Sequence, residues 1–448
     1  MKTLLIIILL LTNLTWGNEI DFKEMSINNP GTLFIDKKTL TKKINDNAID
    51  IFNNYSSKYL NEAKFSQWGC RYHEVNIEDM RQLYLEEVSR DNYFYFLEML
   101  GSFPIHYWCE TTLRSSDSAK GFSNIYFWPK QKSRRVKKLI SFYEDLVEQS
   151  WLLKLPKPSN DDQIAYELGV FIVSILFTYT LIEDDLTSDM QKAFKEHIKE
   201  IIKKYEYTTN ESLVGPNTVN SNHGFYFYNL KLASSIILND NDMFRNSIRQ
   251  FFSAIKNNSS ESGIFKIDGK RGECALSYNY HGLNPVMAFL WNLKLQGYDL
   301  FQSKITHNHN IGEIIEAIYE ASIDTNLFYA HQKKYGLTKD KFSRESCWIQ
   351  DISKEESLLR KDKNGMMRLQ TDAGWIRIYE SVFGRKKAER FKNIDAGFWA
   401  HHGKYPNTNA YIMSDIFQIG PNLSLGGISY IIYQDSFPKV DYQTVLTQ

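Results

Sequence analysis

The stretch IAYELGVFIVSILFTYTLI (164–182) is followed after four residues by TSDMQKAFKEHIKEIIKKYE (187–206), and the contrast between the two decides the fold. The first is apolar nearly all round, interrupted only by Glu167, Gly169 and Ser174, which suits a helix buried in a core better than a membrane span. The second carries Met190, Phe194, Ile198 and Ile201–Ile202 on one stripe, the spacing of a helix with one wet face. The alternation then recurs: 224–238 reads as buried and 241–256 as amphipathic, and 282–296 as buried with 311–323 amphipathic. A repeat of roughly 50 residues per pair predicts inner helices lined by outer ones, an all-α chain forming an incomplete α/α toroid. Stretches 43–62, 78–100 and 135–153 also read as helical and extend the array toward the N-terminus.

Elsewhere the pattern weakens. Residues 101–134 are irregular and rich in aromatics, Gly and Pro, the composition of a lid or cleft wall. Residues 342–393 carry amphipathic patches, and 425–433 turn through Gly426–Gly427 into a short run suited to a strand or a buried extended tail. No low-complexity segment or linker divides the chain, so 18–448 reads as a single domain.

The 448 residues suffice for a large core, and 53 basic side chains balance 53 acidic ones. Zero formal charge argues against a nucleic-acid binder, leaving room for a local basic groove. The start, MKTLLIIILLLTNLTWG, has one Lys, an apolar run from Leu4 to Leu11 and a small residue at Gly17. It is too short to span a bilayer and reads as a signal peptide at 1–17, cut near Gly17–Asn18. A periplasmic or secreted protein with no membrane span in the mature chain is expected. Cys70, Cys109, Cys274 and Cys347 show no metal-ligand spacing; Cys70 and Cys109 leave open a disulfide or buried thiols. Asn54 and Asn422 begin glycosylation sequons.

The chemistry gathers at two inner-helix entrances. Asn222–His223 stands just before one, where a structural chain needs only a single capping residue. Roughly 50 residues on, Arg271 and Tyr278 stand before the next, within GIFKIDGKRGECALSYNYHGLNP (263–285). Entrances on a shared rim bring an amide, an imidazole, a guanidinium and a phenol to one place. Such a set fits a sugar carboxylate whose neighbouring C5 proton is to be removed. Arg and Asn neutralise the carboxylate and so stabilise an enediolate-like transition state, while a base takes the proton and an acid protonates the departing oxygen. A tyrosine, ordinarily with a pKa of about 10, needs nearby positive charge to act as that base. Arg271 and His223 supply it, and one tyrosine can do both jobs on one face of the sugar.

RGECALSYNYHGLNP also resembles the RGxxALxYHxYALxP signature of the alginate lyases of polysaccharide lyase family five. SNHGFYFYN (221–229) resembles that family's NNH-aromatic motif, GYDLF (297–301) its G-x-DLY segment and LGGISYIIY (425–433) its LGGxxTLLF. Trp375 in AGWIRIY fits a weaker family pattern, and the similarity spans about 150–433. The resemblance implies an α/α toroid and metal-independent β-elimination of mannuronate-rich chains. Asn222, His223 and Arg271 then serve the carboxylate, and Tyr278 the acid/base work. Three positions depart from the pattern: Ser221 replaces the first Asn, Asn279 stands where His is usual, and His281 where another Tyr is.

Tyr280 and His281 are candidates to line the cleft against a plain packing role, and Trp128 to stack on a sugar against burial. Arg134, in KQKSRRVKK (130–138), belongs either to a solvated helix start or to a patch that steers a polyanion. His307/His309 and His401/His402 lack acidic partners at ligand spacing, so neither metal nor other cofactor is expected. The expected partner is an anionic uronate polysaccharide, alginate or glucuronan. Two rivals remain: a glycoside hydrolase using Asp268 and Glu273 as its carboxylate pair, and a non-catalytic polyuronide-binding or export scaffold.

Overall fold

In the computed structural model, residues 22–40, 42, 140–153 (apart from 142, 145 and 149), 161–271, 275–306, 309–324, 326–336 and 373–394 are described. The signal peptide, the stretches 43–62, 78–100 and 101–134, all four cysteines, the Asn54 and Asn422 sequons, the patches 342–372 and the run 425–433 lie outside them. Every named element among the described residues is helical, with two isolated bridges, Ser259–Phe265 and Thr306–His309.

Helix α1 (Asp161–Ile182) is the long apolar one, and α2 (Ser188–Tyr205) its amphipathic partner. Thr187 starts α2 by accepting the Met190 amide, and Lys203 and Lys204 sit in its last turn, where cations suit the dipole. The buried stripe of α2 is Phe194, Ile198, Ile201, Ile202 and Tyr205, as the spacing requires. Next come α3 (Asn222–Leu238), buried on nearly every side, and α4 (Asn241–Asn258), buried along Phe244, Ile248, Phe251 and Ile255. The pattern repeats with α5 (Ala275–Leu295) and α6 (Ile311–Ile323), the latter opened by an Asn310–Glu313 capping box. Helices α7 (Asn326–Tyr335) and α8 (Trp375–Phe383) follow. The inner helices α1, α3 and α5 pack side by side, with outer helices against them, which is the layering of an α/α toroid.

The inner helices stand unusually close. A Cβ on Gly169 of α1 would lie 2.4 Å from the backbone carbonyl of Tyr226 on α3, so only glycine fits there. Helix α5 begins seven residues before the apolar run 282–296 suggests. Pro285 sits inside it without breaking it. Proline lacks the amide that would bond the His281 carbonyl one turn earlier. The Tyr226 hydroxyl donates to that carbonyl instead, at 3.1 Å, and so joins α3 to α5.

Helix α5 is also the anchor for segments distant in sequence, through fully buried amides. Asn279 Oδ1 accepts the Phe265 amide at 3.0 Å, and Asn284 Oδ1 accepts the Trp375 amide at 3.1 Å. Asn292 Oδ1 accepts the Phe34 amide at 2.9 Å. Just past the helix, Gln296 Oε1 accepts the amides of Asn28 and Asn29 at 3.1 and 2.7 Å, and its Nε2 donates to Asn29 O. These bonds lay residues 22–40 as a strap across the C-terminal ends of the inner helices, with Gly31 N donating to Ile236 O and Tyr298 Oη bonded to Ser26. The GYDLF segment therefore works at the rim opposite the entrances: Tyr298 holds the strap, and Asp299 pairs with Lys294 at 3.0 Å.

Gln296→Ala should remove these partners from the strap amides at once, at a partly buried edge of the fold. A loss on the order of 3 kcal/mol is expected in a urea melt, against a change within about 0.5 kcal/mol for the exposed Lys192→Ala.

Candidate active site

All three inner helices present their first turns at one rim. Ser221 caps α3 by accepting the His223 amide at 3.3 Å, so Ser221 does the capping and the two polar residues after it are left for other work. Asn222 is the first residue of the helix and fully buried; its Oδ1 also accepts the His223 amide, and its Nδ2 has no hydrogen-bond partner. An unmet buried donor of that kind costs about 1–3 kcal/mol.

His223 is half-buried and stacks on the ring of Tyr166 from α1, with centroids 5.6 Å apart and planes 27° apart. Tyr166 in turn lies 4.9 Å from the His281 ring of α5 and meets Tyr226 edge-on at 5.1 Å. His281 faces Tyr278 at 6.5 Å, nearly perpendicular. The Arg271 guanidinium sits over the Tyr278 ring, 4.5 Å from its centroid. Thus a continuous chain of half-buried rings, His223–Tyr166–His281–Tyr278–Arg271, joins the two entrances. The rim expected from the spacing brings together Asn222, His223, Arg271, Tyr278 and His281.

Two expectations change. Tyr280 does not line the site: it is fully buried, stacked 5.2 Å from Trp375 with planes 9° apart, and burial pushes its phenol well above the usual range. Helix geometry explains this. Tyr278 and His281 are three apart and share a face, whereas Tyr280 is two from Tyr278 and turns away. Asn279, the departure from the usual His, also points inward, where it bonds the Ala275 carbonyl and the Phe265 amide and fixes the turn leading to Arg271. Tyr166 is the site residue that the sequence reading missed. Its signal was position: it lies in the first turns of an inner helix, at the level His223 occupies on the next.

Trp128, Arg134, His307, His401, His402 and Glu273 lie outside the described residues. His309 is half-buried, its ring bonded to Glu261 O, and no group of metal-holding side chains occurs among the described residues. Asp268, half of the hydrolase pair, is fully buried and cannot flank a sugar. Its carboxyl is pushed up to about 6 by burial, an effect opposed by the Arg271 charge, the Asn258 side chain, the His281 charge and the Asn222 amide. No described helix is long and apolar enough to cross a membrane.

A family model described as alginate lyase matches residues 170–328, the segment holding α3, α5 and the ring chain's Asn222–His281 portion. Among solved structures, alginate lyase A1-III from Sphingomonas species A1 superposes with a TM-score of 0.56 at 13% identity, covering 94% of this chain and all of that one. A tyrosine-to-phenylalanine variant of alginate lyase A1-III complexed with a tetrasaccharide superposes at 0.57, with 12% identity over 94% of this chain and 100% of that one. A histidine-to-alanine variant, also with a tetrasaccharide, gives 0.54 at 13% identity, over 94% and 99% of the chains. At these identities the likeness is one of fold, the α/α toroid. A search of curated proteins returns no match. The partial family match and the shared fold together make the chain similar to the alginate lyases.

Tyr280→Ala should empty a packed aromatic site and cost about 3–5 kcal/mol in a thermal or urea melt. His281→Ala, on the half-buried face, should change stability by less than about 1 kcal/mol. Equal losses for the two would contradict the opposite facing of these neighbours.

Proposed function

We propose that the protein is an exported lyase that cleaves poly-mannuronate alginate by β-elimination at the ring chain of the shared rim. The observation that carries this reading is the Arg271 guanidinium 4.5 Å from the Tyr278 ring. It puts a permanent cation beside the phenol that must lose a proton, and beside the place a uronate carboxylate would occupy. A guanidinium in that position favours phenolate and stabilises the charge that moves onto the carboxylate as C5 is deprotonated.

The steps balance within one sugar pair. The Tyr278 phenolate takes the C5 proton, the C5 electrons form the C4–C5 double bond, and the C4–O bond to the preceding sugar breaks. The proton on Tyr278 then passes to the departing oxygen. Arg271 and the Asn222 amide neutralise the carboxylate, with His223 completing the charge around it. Asn222 is closed from solvent in the structure, so its amide meets a ligand only after the entrance opens. The face that a sugar meets first is His223, Tyr166, His281, Tyr278 and Arg271, all half-buried. Alginate lyase A1-III, which shares the fold, is known with a tetrasaccharide as a tyrosine variant and as a histidine variant, and this rim holds two tyrosines and two histidines. The leader-like residues 1–17 support export to the periplasm or medium, where such a polymer is met.

The mature protein incubated with poly-mannuronate should produce a rising ultraviolet absorbance from unsaturated uronate ends. Tyr278→Phe should lower that rate by at least about 10³-fold with an unchanged melt. Parallel incubations with poly-guluronate and glucuronan test the polymer; new reducing ends without absorbance would show hydrolysis instead, and binding without product a scaffold.

A further inference from the structure

We propose that Gln332 of α7 is a positioning residue: its amide clamps the turn that carries Arg271 and so sets where the guanidinium stands over Tyr278. The catalytic consequence rests on the lyase reading, whereas the clamp itself rests on hydrogen bonds and packing.

Arg271 belongs to no helix. It follows the short 3-10 turn Asp268–Lys270, at the end of a connection that leaves α4 at Asn258. Local bonds shape this turn, such as Gly269 N to Phe265 O at 2.7 Å and Arg271 N to Asp268 O at 3.3 Å. Side chains from three helices tether it. Asn258 Oδ1 of α4 accepts the Ile267 amide at 2.8 Å, Asn258 Nδ2 donates to Asp268 Oδ2 at 3.0 Å, and Asn279 Oδ1 of α5 accepts the Phe265 amide at 3.0 Å. The tether nearest Arg271 comes from α7. Gln332 Nε2 donates to the Gly269 carbonyl at 3.1 Å, two residues before the arginine.

The fit at that point is close. Gln332 is fully buried, and the ring of His331 beside it lies against Gly269, where a Cβ would stand 2.7 Å from Nε2. His331 Nε2 is also 3.4 Å from the Lys266 carbonyl, and Lys334 pairs with Glu261 at 3.0 Å on the surface. One stretch of α7 therefore meets the connection at Glu261, Lys266 and Gly269. A buried carbonyl that loses its donor is costly, so without the Gln332 amide the turn must move to find another. The guanidinium hangs from the backbone at 271, and a shift of the turn carries it off the Tyr278 ring. A misplacement of about 1 Å costs on the order of 10²-fold in rate. Gln332 touches no sugar, being sealed from solvent, and acts only through Arg271.

Gln332→Met keeps the length of the side chain and removes the donor. Its kcat/KM on poly-mannuronate should fall on the order of 10–100-fold, chiefly in kcat, because the charge that Arg271 meets grows in the transition state. Gln296→Ala separates this from a plain loss of stability. It loosens the opposite rim, should lower the melt at least as much, and should leave kcat/KM within about 2-fold when both variants are assayed well below their melts. Independently of any substrate, NMR reads the place of the guanidinium. The Arg271 Nε–H signal, assigned by its loss in Arg271→Ala, should lie upfield in the wild type through the current of the Tyr278 ring. In Gln332→Met it should return toward its position in Tyr278→Leu. An Arg271 signal that Gln332→Met leaves in place, or equal falls in rate for Gln332→Met and Gln296→Ala, overturns the proposal. Should the wild type yield no unsaturated ends on any uronate polymer, the lyase reading fails, and the Arg271 signal still decides the clamp. If Gln332→Met does not fold, Gln332→Asn, with its amide one carbon short of the carbonyl, is read by the same signal: a move toward the Tyr278→Leu position supports the clamp, and an unmoved signal refutes it.

Discussion

The site depends on how closely α1 and α3 approach. With a glycine at 169, the α1 backbone lies almost against the carbonyl of Tyr226. One turn nearer the rim from Gly169 is Tyr166; one turn nearer from Tyr226 is His223. The backbone contact therefore sets the gap in which those two rings stack. A larger residue at 169 would separate the helices and open that stack without touching either ring. The second register, between α3 and α5, is set by the Tyr226 hydroxyl on the His281 carbonyl, an acceptor that exists because Pro285 has no amide to offer it. Tyr226 thus serves both contacts, with its backbone toward α1 and its hydroxyl toward α5.

Much of this was legible in the sequence. The alternation of all-apolar and one-sided helices gives the layering, because a helix packed on every side and one packed on a single side need different patterns. Asn222–His223 stood out because a helix start needs one capping residue and two polar ones stand there; the structure gives the capping to Ser221. The site was blurred where a helix start was misjudged. With α5 begun at 282, Tyr278, Asn279, Tyr280 and His281 lie in a loop, and a loop assigns no faces. Begun at Ala275, the same four residues follow a helical turn, which sends Tyr278 and His281 outward and Asn279 and Tyr280 inward. Pro285 was the cause, since proline usually marks an edge, and nothing local reveals that a tyrosine 59 residues earlier meets the orphaned carbonyl. Tyr166 was hidden differently: in an apolar run an aromatic near the end looks like all the others, and only a neighbour's histidine distinguishes it.

The polar residues on the inner helices divide by depth. Near the rim they are half-buried rings and charges. Deeper they are amides such as Asn284, Asn292 and Gln296, each bonded to the backbone of a segment far away in sequence. Lys231 is an exception in kind but not in logic. Its buried ammonium on α3 reaches Glu206 and Gln250 at 2.5 and 2.9 Å, so the one charge inside that helix is matched by outer elements. Such residues act as addresses, since each bonds a single partner segment and is costly without it.

The strap carries a temporal consequence. Residues 28 and 29 are among the earliest of the described segments to be synthesised, yet Gln296, which receives their amides, is made 267 or 268 residues later. Until then the leading segment has no surface to settle on, and its apolar side chains Leu33 and Phe34 must wait for helices that do not yet exist. Contacts across so long an interval are slow to find, and they leave the final step of assembly to the first part of the chain. A molecule arranged in this way reaches its finished shape only when its beginning is fastened to its middle.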